Sequence, residues 1–415
     1  MKKQQIKATF SAVVIGILSP LAMAVPASAA TATWAGHHPT GGYDGLAGTA
    51  DNWVGSYAPL SGDSVVFGTS GINQIIELDA AHTVPVEGTP SLELASIVFS
   101  GDWSGTSSKS YTISSDNIIN LSGNIESIMT GNAGDQQLKA SVSLQTDSTF
   151  KTSGANTLSV GDTATTLNLG SKNLTLDANG GTLSLLGKIT GTGNLIKSGN
   201  GRVNVQTSPG TGGFTGGFTV SNGELIATGN LGVVTVSGGT LKGGGVVGGI
   251  TMTSGTVAPG NSPGVLFSGN VVFTGGTHAV ELGGKGMAEF DVLAVSGTVN
   301  LGTETTLSLS LVNGFAPAVN DSFKIIDNDA ADAVTGTFKG IADGAKVTLG
   351  SYTYQINYDG GDGNDVMLLV TGTPSAPDTG TGSIIGNPLA TLALALLVAG
   401  VVAGYRVYEI KKVRR

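Results

Sequence analysis

The sequence predicts an all-β chain: a parallel β-helix or β-solenoid, closed by a C-terminal antiparallel β module and followed by a single C-terminal transmembrane helix. Three observations predict it. First, residues 191–301 write one short phrase repeatedly: TVSNGEL at 219–225, TVSGGTL at 235–241, TMTSGTV at 251–257, VFTGGTH at 272–278 and AVSGTVNL at 294–301. Side chains of an extended strand alternate sides, so TVS and TMT turn one aliphatic residue in and two hydroxyls out. The glycines that follow admit the positive φ of a tight corner. A period of roughly 16 to 21 residues is too short for a unit with its own core, and implies stacked coils. Second, 66 glycines accompany only 12% charged and 6% aromatic residues, without the three-residue period of collagen, and Val, Leu, Ile and Thr fill the intervening strands. Third, short apolar/polar alternations separated by turn residues run through the chain, and helical periodicity is absent from them.

The elements follow in order. Residues 1–30 read as a secretory signal: Lys2, Lys3 and Lys7 precede an apolar stretch at 8–18, and Ala27, Ala29 and Ala30 mark the small-residue cleavage site. Ala22-Met23-Ala24 is an earlier alternative. Pro20 and Pro26 interrupt the apolar run and argue against a membrane anchor at this end. Residues 31–70 form the N-terminal cap, with Trp34, Trp53 and Tyr57 to cover the open end of the first coil; the rival reading is an aromatic platform for sugar.

Residues 71–301 are the solenoid repeats, with ASIVFSG at 95–101, YTISS at 111–115, IINLSGNI at 118–125 and LTLDANGGTLSLLGKI at 174–189 before the clearest phrases. Asn120 and Asn173 open glycosylation-type tripeptides that chance explains as well. At 302–371 the strands lengthen, as in TTLSLSLVNGF, SFKIID, AKVTLGSYTYQINY and DVMLLV, and hairpin pairing is expected to seal the far end. A Pro-, Gly-, Ser- and Thr-rich linker spans 372–383. Residues 384–405 form an almost uncharged run, of which 389–405 alone would span roughly 26 Å as a helix at about 1.5 Å per residue. The basic tail 406–415 is expected to stay cytoplasmic, which places the N-terminus and the solenoid outside.

Composition narrows the function classes. A formal net charge of −9 disfavours a nucleic-acid partner. The absence of cysteine removes disulfides and thiol chemistry. No HExxH, GxSxG or phosphate-cradling loop is present, and no cofactor is expected. The histidines are His37, His38, His82 and His278; the adjacent pair suits an extended loop better than a metal, because neighbouring side chains point to opposite sides. Within 191–301 the only acids are Glu224, Glu281, Glu289 and Asp291, and nothing in the sequence singles out a pair among them.

The phrases GTGNLIKSGNGRVNV at 191–205, TGGFTVSNGEL from Thr215 and VAPGNSPGVLFSGNVVF at 257–273 resemble the strand repeats of autotransporter-associated passenger proteins, APGNSPG at 258–264 being the most specific part. The resemblance implies a parallel β-helical surface protein, with the start and the closing module matching that family's ends. A translocator barrel would need several hundred further residues, so that family's secretion route is not expected here.

Two shorter motifs carry resemblances of their own. Pro377, Asp378, Thr379 and Gly380, followed by an apolar helix and a basic tail, resemble the LPXTG cell-wall sorting signal, with Ala376 in place of the usual Leu. That resemblance implies a sortase-like transpeptidase and the cell envelope as partners, with cleavage after Thr379; the plain alternative is a single-pass membrane anchor. GGDGNDVML at 360–368 resembles one copy of the calcium repeat of RTX proteins, which makes Asp359, Asp362, Asn364 and Asp365 weak metal candidates against an ordinary hairpin turn.

The functional expectation is an exported, C-terminally anchored cell-surface solenoid, a non-enzymatic stalk or adhesin with a glycan or host-surface ligand. The alternatives are a surface polysaccharide lyase or hydrolase on the same scaffold, and a laterally assembling coat subunit.

Overall fold

The computed structural model describes residues 31–34, 62–67, 74–77, 91–103, 110–131, 134–206, 213–329 and 332–373. The expected signal and its cleavage residues Ala27, Ala29 and Ala30, Trp53, Tyr57, the histidines His37, His38 and His82, the sorting motif Pro377, Asp378, Thr379 and Gly380, the apolar run and the basic tail lie outside them. Among the described residues no helix is long and apolar enough to cross a membrane.

The chain is an all-β, parallel solenoid. One register column, inward-facing from Ala32 to Leu301, passes through Ala32, Val65, Ile97, Ile125, Phe150, Leu176, Lys197, Val220, Val236, Met252, Phe273, Leu301 and the exposed Gly336, each the parallel register partner of the next. At about 4.8 Å between paired strands the column is on the order of 60 Å long. A second column runs Leu158, Leu183, Val203, Leu225, Leu241, Val257, His278 and Leu307. A third face is laid down by Leu92, Ile119, Val142, Leu167 and Ile189. Further along the rod, Val246, Phe267, Ala294 and Asp327 are stacked in the same manner on that side. The three faces enclose a single apolar core, in which the rings of Phe67, Phe99 and Tyr111 pack with centres 5.6–6.2 Å apart. Each coil therefore buries its aliphatic residues against neighbours above and below, a gain of about 1.5–3 kcal/mol per fully buried side chain.

The repeat phrase maps directly onto this geometry. In TVS, TVS and TMT the central Val220, Val236 and Met252 are buried while Ser221, Ser237 and Thr253 are exposed. The glycines form the next corner. Gly255 has φ +80°, and a Cβ there would lie 2.3 Å from the Gly239 carbonyl oxygen of the coil below. No side chain fits so close a stack.

Two expectations are corrected in register. AVSGTVNL at 294–301 is out of phase with the other phrases: Val295 pairs with Ser268 on the third face, and it is Val299, Asn300 and Leu301 that stack on Val271, Val272 and Phe273. The change to hairpins also comes later than residue 302. Thr306–Leu311 still pairs in parallel with Thr277–Leu282. Ser322–Asn328 is the splice: its end pairs parallel with Val292–Val295, while its length pairs antiparallel with Asp365–Gly372. Lys346–Leu349, Tyr352–Gly360 and Asp365–Gly372 then form the antiparallel meander.

Candidate functional site

Register brings together residues far apart in sequence. The outward column beside the second inner one reads Thr182, Arg202, Glu224, Thr240, Thr256, Thr277 and Thr306, and Lys242 stacks on Ile226 one position along. Glu224 thus lies between two cations: Arg202 Nη2 at 3.1 Å and Lys242 Nζ at 3.2 Å. Partial burial alone would raise its pKa, but hydrogen bonds from Arg202 and Lys242 outweigh that and hold the carboxyl below its ordinary range.

The APGNSPG loop closes one side of this surface and produces a groove of about 410 Å³, in which Glu224, Lys242, Ser262, Glu281 and Asp291 all take part. Gly260 and Ser262 both adopt positive φ, folding the loop over Gly243, with which Gly260 exchanges two backbone hydrogen bonds of 2.8 and 3.0 Å. The Ser262 hydroxyl donates to Glu281 Oε2 at 2.6 Å. Asp291, buried, accepts from the Gly264 N–H at 2.8 Å through Oδ1 and from the Glu281 N–H at 2.9 Å through Oδ2. Burial pushes the Asp291 carboxyl up to about 6; the two N–H donors pull it down and the Glu281 charge adds to the rise.

Three of the four acids at 191–301 therefore share one groove. Glu289 does not: its carboxylate accepts from the Gly286 N–H within its own turn. Arg202 and Lys242, which set the charge of the groove, escape sequence reasoning because only the coil register places them beside Glu224. Aligning RVNV, ELIA and TLKG as successive copies of one phrase is the signal that finds them. Each groove carboxylate described here is already bonded: Glu224 to two cations, Glu281 to a hydroxyl, Asp291 to two amides. The arrangement offers a fixed pattern of polar groups to a ligand.

The turn at 360–365 is a hairpin between the last two strands, with Gly360 paired to Asp365. Asp359 and Asp362 are exposed, whereas Asn364 and Asp365 turn inward. The Asn364 amide donates to the Asp329 and Asp332 carbonyls. Asp365 accepts from the Asn328 N–H at 3.0 Å and meets Lys324 Nζ at 2.7 Å. Two of the four candidates, Asn364 and Asp365, thus hold the meander to the last coil, and an ammonium already occupies the cation's place at Asp365. Among the described residues no group of three or more metal-binding side chains is present.

No protein-family model matches the chain, and no curated protein does. Among solved structures, the Haemophilus influenzae Hap adhesin is similar at 12% identity and a TM-score of 0.27. That match covers 75% of this chain and 47% of the adhesin chain, so this chain spans about half the length of that structure.

Proposed function

We propose that the protein is an exported, C-terminally anchored surface solenoid that acts as a stalk or adhesin and binds its ligand without turning it over. The observation that carries this reading is the unbroken column from Ala32 to Gly336, which makes the chain an extended rod with polar outer faces. The bonded state of the groove carboxylates supports binding over catalysis. A sortase-like transpeptidase acting after Thr379, or a helix over 384–405, would fix the rod to the envelope. Mass spectrometry of the mature C-terminus tests the anchor: an end at Thr379 joined to envelope material supports sorting, and an intact Arg415 supports the membrane helix. Protease shaving of intact cells tests the exposure of the rod, and protection of the whole chain from protease would overturn the reading.

A second reading, a surface polysaccharide hydrolase or lyase, is favoured by one observation: Glu281 and Asp291 lie in the same groove, and burial pushes the second carboxyl up to about 6. Release of reducing ends from envelope glycans, lost in Glu281→Gln, would establish it over the first.

A further inference from the structure

The loop at 258–264 lines the groove from Ala258 to Ser262, and it stands on two carboxylates. Ser262 Oγ donates to Glu281 Oε2 at 2.6 Å, and the Gly264 N–H donates to Asp291 Oδ1 at 2.8 Å. The two acids are themselves tied. The Asp291 N–H donates to the Glu281 carbonyl at 2.9 Å, and the Glu281 N–H donates to Asp291 Oδ2 at the same distance. One end of the loop is pinned by backbone alone, in the Gly243–Gly260 pair. The other end joins the Val292 N–H through the Gly264 carbonyl and Asp291 through the Gly264 N–H. Asn261 and Ser262, between the ends, are exposed, whereas Asp291 is 1% exposed.

Few charged groups face the Asp291 carboxyl. Glu281 on the neighbouring strand adds a like charge, and Lys242 opposes it without forming an ion pair. Lys242 and Arg202 are both engaged by Glu224. The excursion between the two acids keeps its charges to itself, Glu289 on the Gly286 N–H and Lys285 on Asp321. The loop and the strand Thr306–Leu311 carry no ionisable side chain. A carboxylate held out of water beside a second one, with only amide donors to answer it, favours its neutral form.

We infer that Asp291 is a proton-operated latch: the loop at 258–264 is clasped over the groove when this carboxyl is neutral and loosens when it ionises, so that pH controls access to the groove. A neutral carboxyl still accepts from the Gly264 N–H through its carbonyl oxygen and sheds the cost of a charge in a dry site. The direction follows from linkage. Burial pushes the clasped carboxyl up to about 6, and release into water returns it to its ordinary 3.8. Between these values the clasped form binds more protons, so clasping is strongest in acid and weakens as pH rises through the interval. A turn held by backbone bonds alone, as at Gly243–Gly260, has no such dependence.

The inference rests on the reading of this groove as a surface binding site and adds its control. The test is amide hydrogen exchange of the full-length protein in detergent from about pH 5 to about pH 8, each rate divided by the intrinsic rate at that pH. Protection of residues 258–265 should fall about tenfold across this range as the latch ionises. Residues 235–241, which hold no titratable group, should keep theirs. Asp291→Asn, which never ionises, should show no fall. Ser262→Ala should lower protection at every pH and keep the tenfold fall, which separates Asp291 from Glu281. Flat protection in the parent, or the same fall in Asp291→Asn, overturns the proposal, and so does loss of the fall in Ser262→Ala. Flat exchange in a chain that protease reaches on intact cells sinks this inference alone. A pH-dependent loop in a chain shielded from external protease sinks the surface reading alone.

Discussion

The imidazole of His278 and the ring of Phe338 lie face to face, 5.9 Å between centres and 3° from parallel. His278 stands in an inner column where Val257 precedes it and Leu307 follows. Phe273 flanks the same ring at 6.1 Å, and the Phe338 N–H in turn donates to the Tyr358 hydroxyl at 3.0 Å. A histidine thus joins the coil stack to the antiparallel module.

That placement makes stability depend on pH. Burial drives the His278 pKa down to about 4, and the nearby carbonyls of Ile325 and Val257 oppose this without standing in hydrogen-bond geometry with the ring. The neighbours named above bring no charge to it. The unfolded chain takes up its proton near 6.5, so it binds more protons than the folded one between about 6.5 and 4. The His278 contribution is whole above that window and is lost as pH falls through it, on the order of 3 kcal/mol at about 1.4 kcal/mol per unit. Urea midpoints across this range should fall less steeply in His278→Leu than in the parent. Parallel curves would refute the assignment.

Lys197 gives a slope at the other end of the scale. It is fully buried in the first inner column between Leu176 and Val220, and its ammonium donates to the Ser198 and Gly199 carbonyls. Burial lowers its pKa to about 8, with the Asp177 charge acting against the shift. The unfolded chain therefore holds the extra proton between about 8 and 10.5, and stability from this group rises with pH across that interval. Lys197→Met should remove the rise and raise stability near neutral pH by about 1–2 kcal/mol, because a similar volume is filled without a buried charge. A destabilised Met variant would show that the two carbonyl bonds matter more than the desolvation.

Corner glycines separate into two kinds. Gly255→Ala places a methyl 2.3 Å from the Gly239 carbonyl at φ +80° and should cost about 3 kcal/mol or more. Gly170→Ala meets nothing within 4 Å at φ +56° and should cost only about 1 kcal/mol. Thermal unfolding of the two variants side by side checks the contrast; equal losses would mean that stacking closeness is unimportant.

The Arg202–Glu224–Lys242 set should matter little for stability. All three side chains are about a third exposed or more, and pairs of that kind are worth about 0–1 kcal/mol and weaken with salt. Glu224→Gln should leave the urea midpoint nearly unchanged while making the groove more positive. A loss above about 2 kcal/mol would assign the triad a structural role.

What the sequence makes legible is whatever repeats at short range. Thr219, Thr235 and Thr251 fall on one another as their phrases imply, and so do Val220, Val236 and Met252. The alternation inside each phrase fixes which side chain is buried. What stays hidden depends on coil length, which loops change without altering the strands. Glu281 meets Asp291 because an excursion between them returns to the same coil, and Glu224 meets Lys242 because one coil separates them. The docking of Phe338 on His278, and of Asp365 on Lys324, joins segments that share no pattern.

The even step from Val220 to Val236 to Met252 has an evolutionary consequence. A gene segment encoding one such turn of the spiral can be copied or excised as a unit, because the surfaces it leaves behind are the same as those it met. The length of the rod then becomes a quantity that can be adjusted in increments of about 4.8 Å.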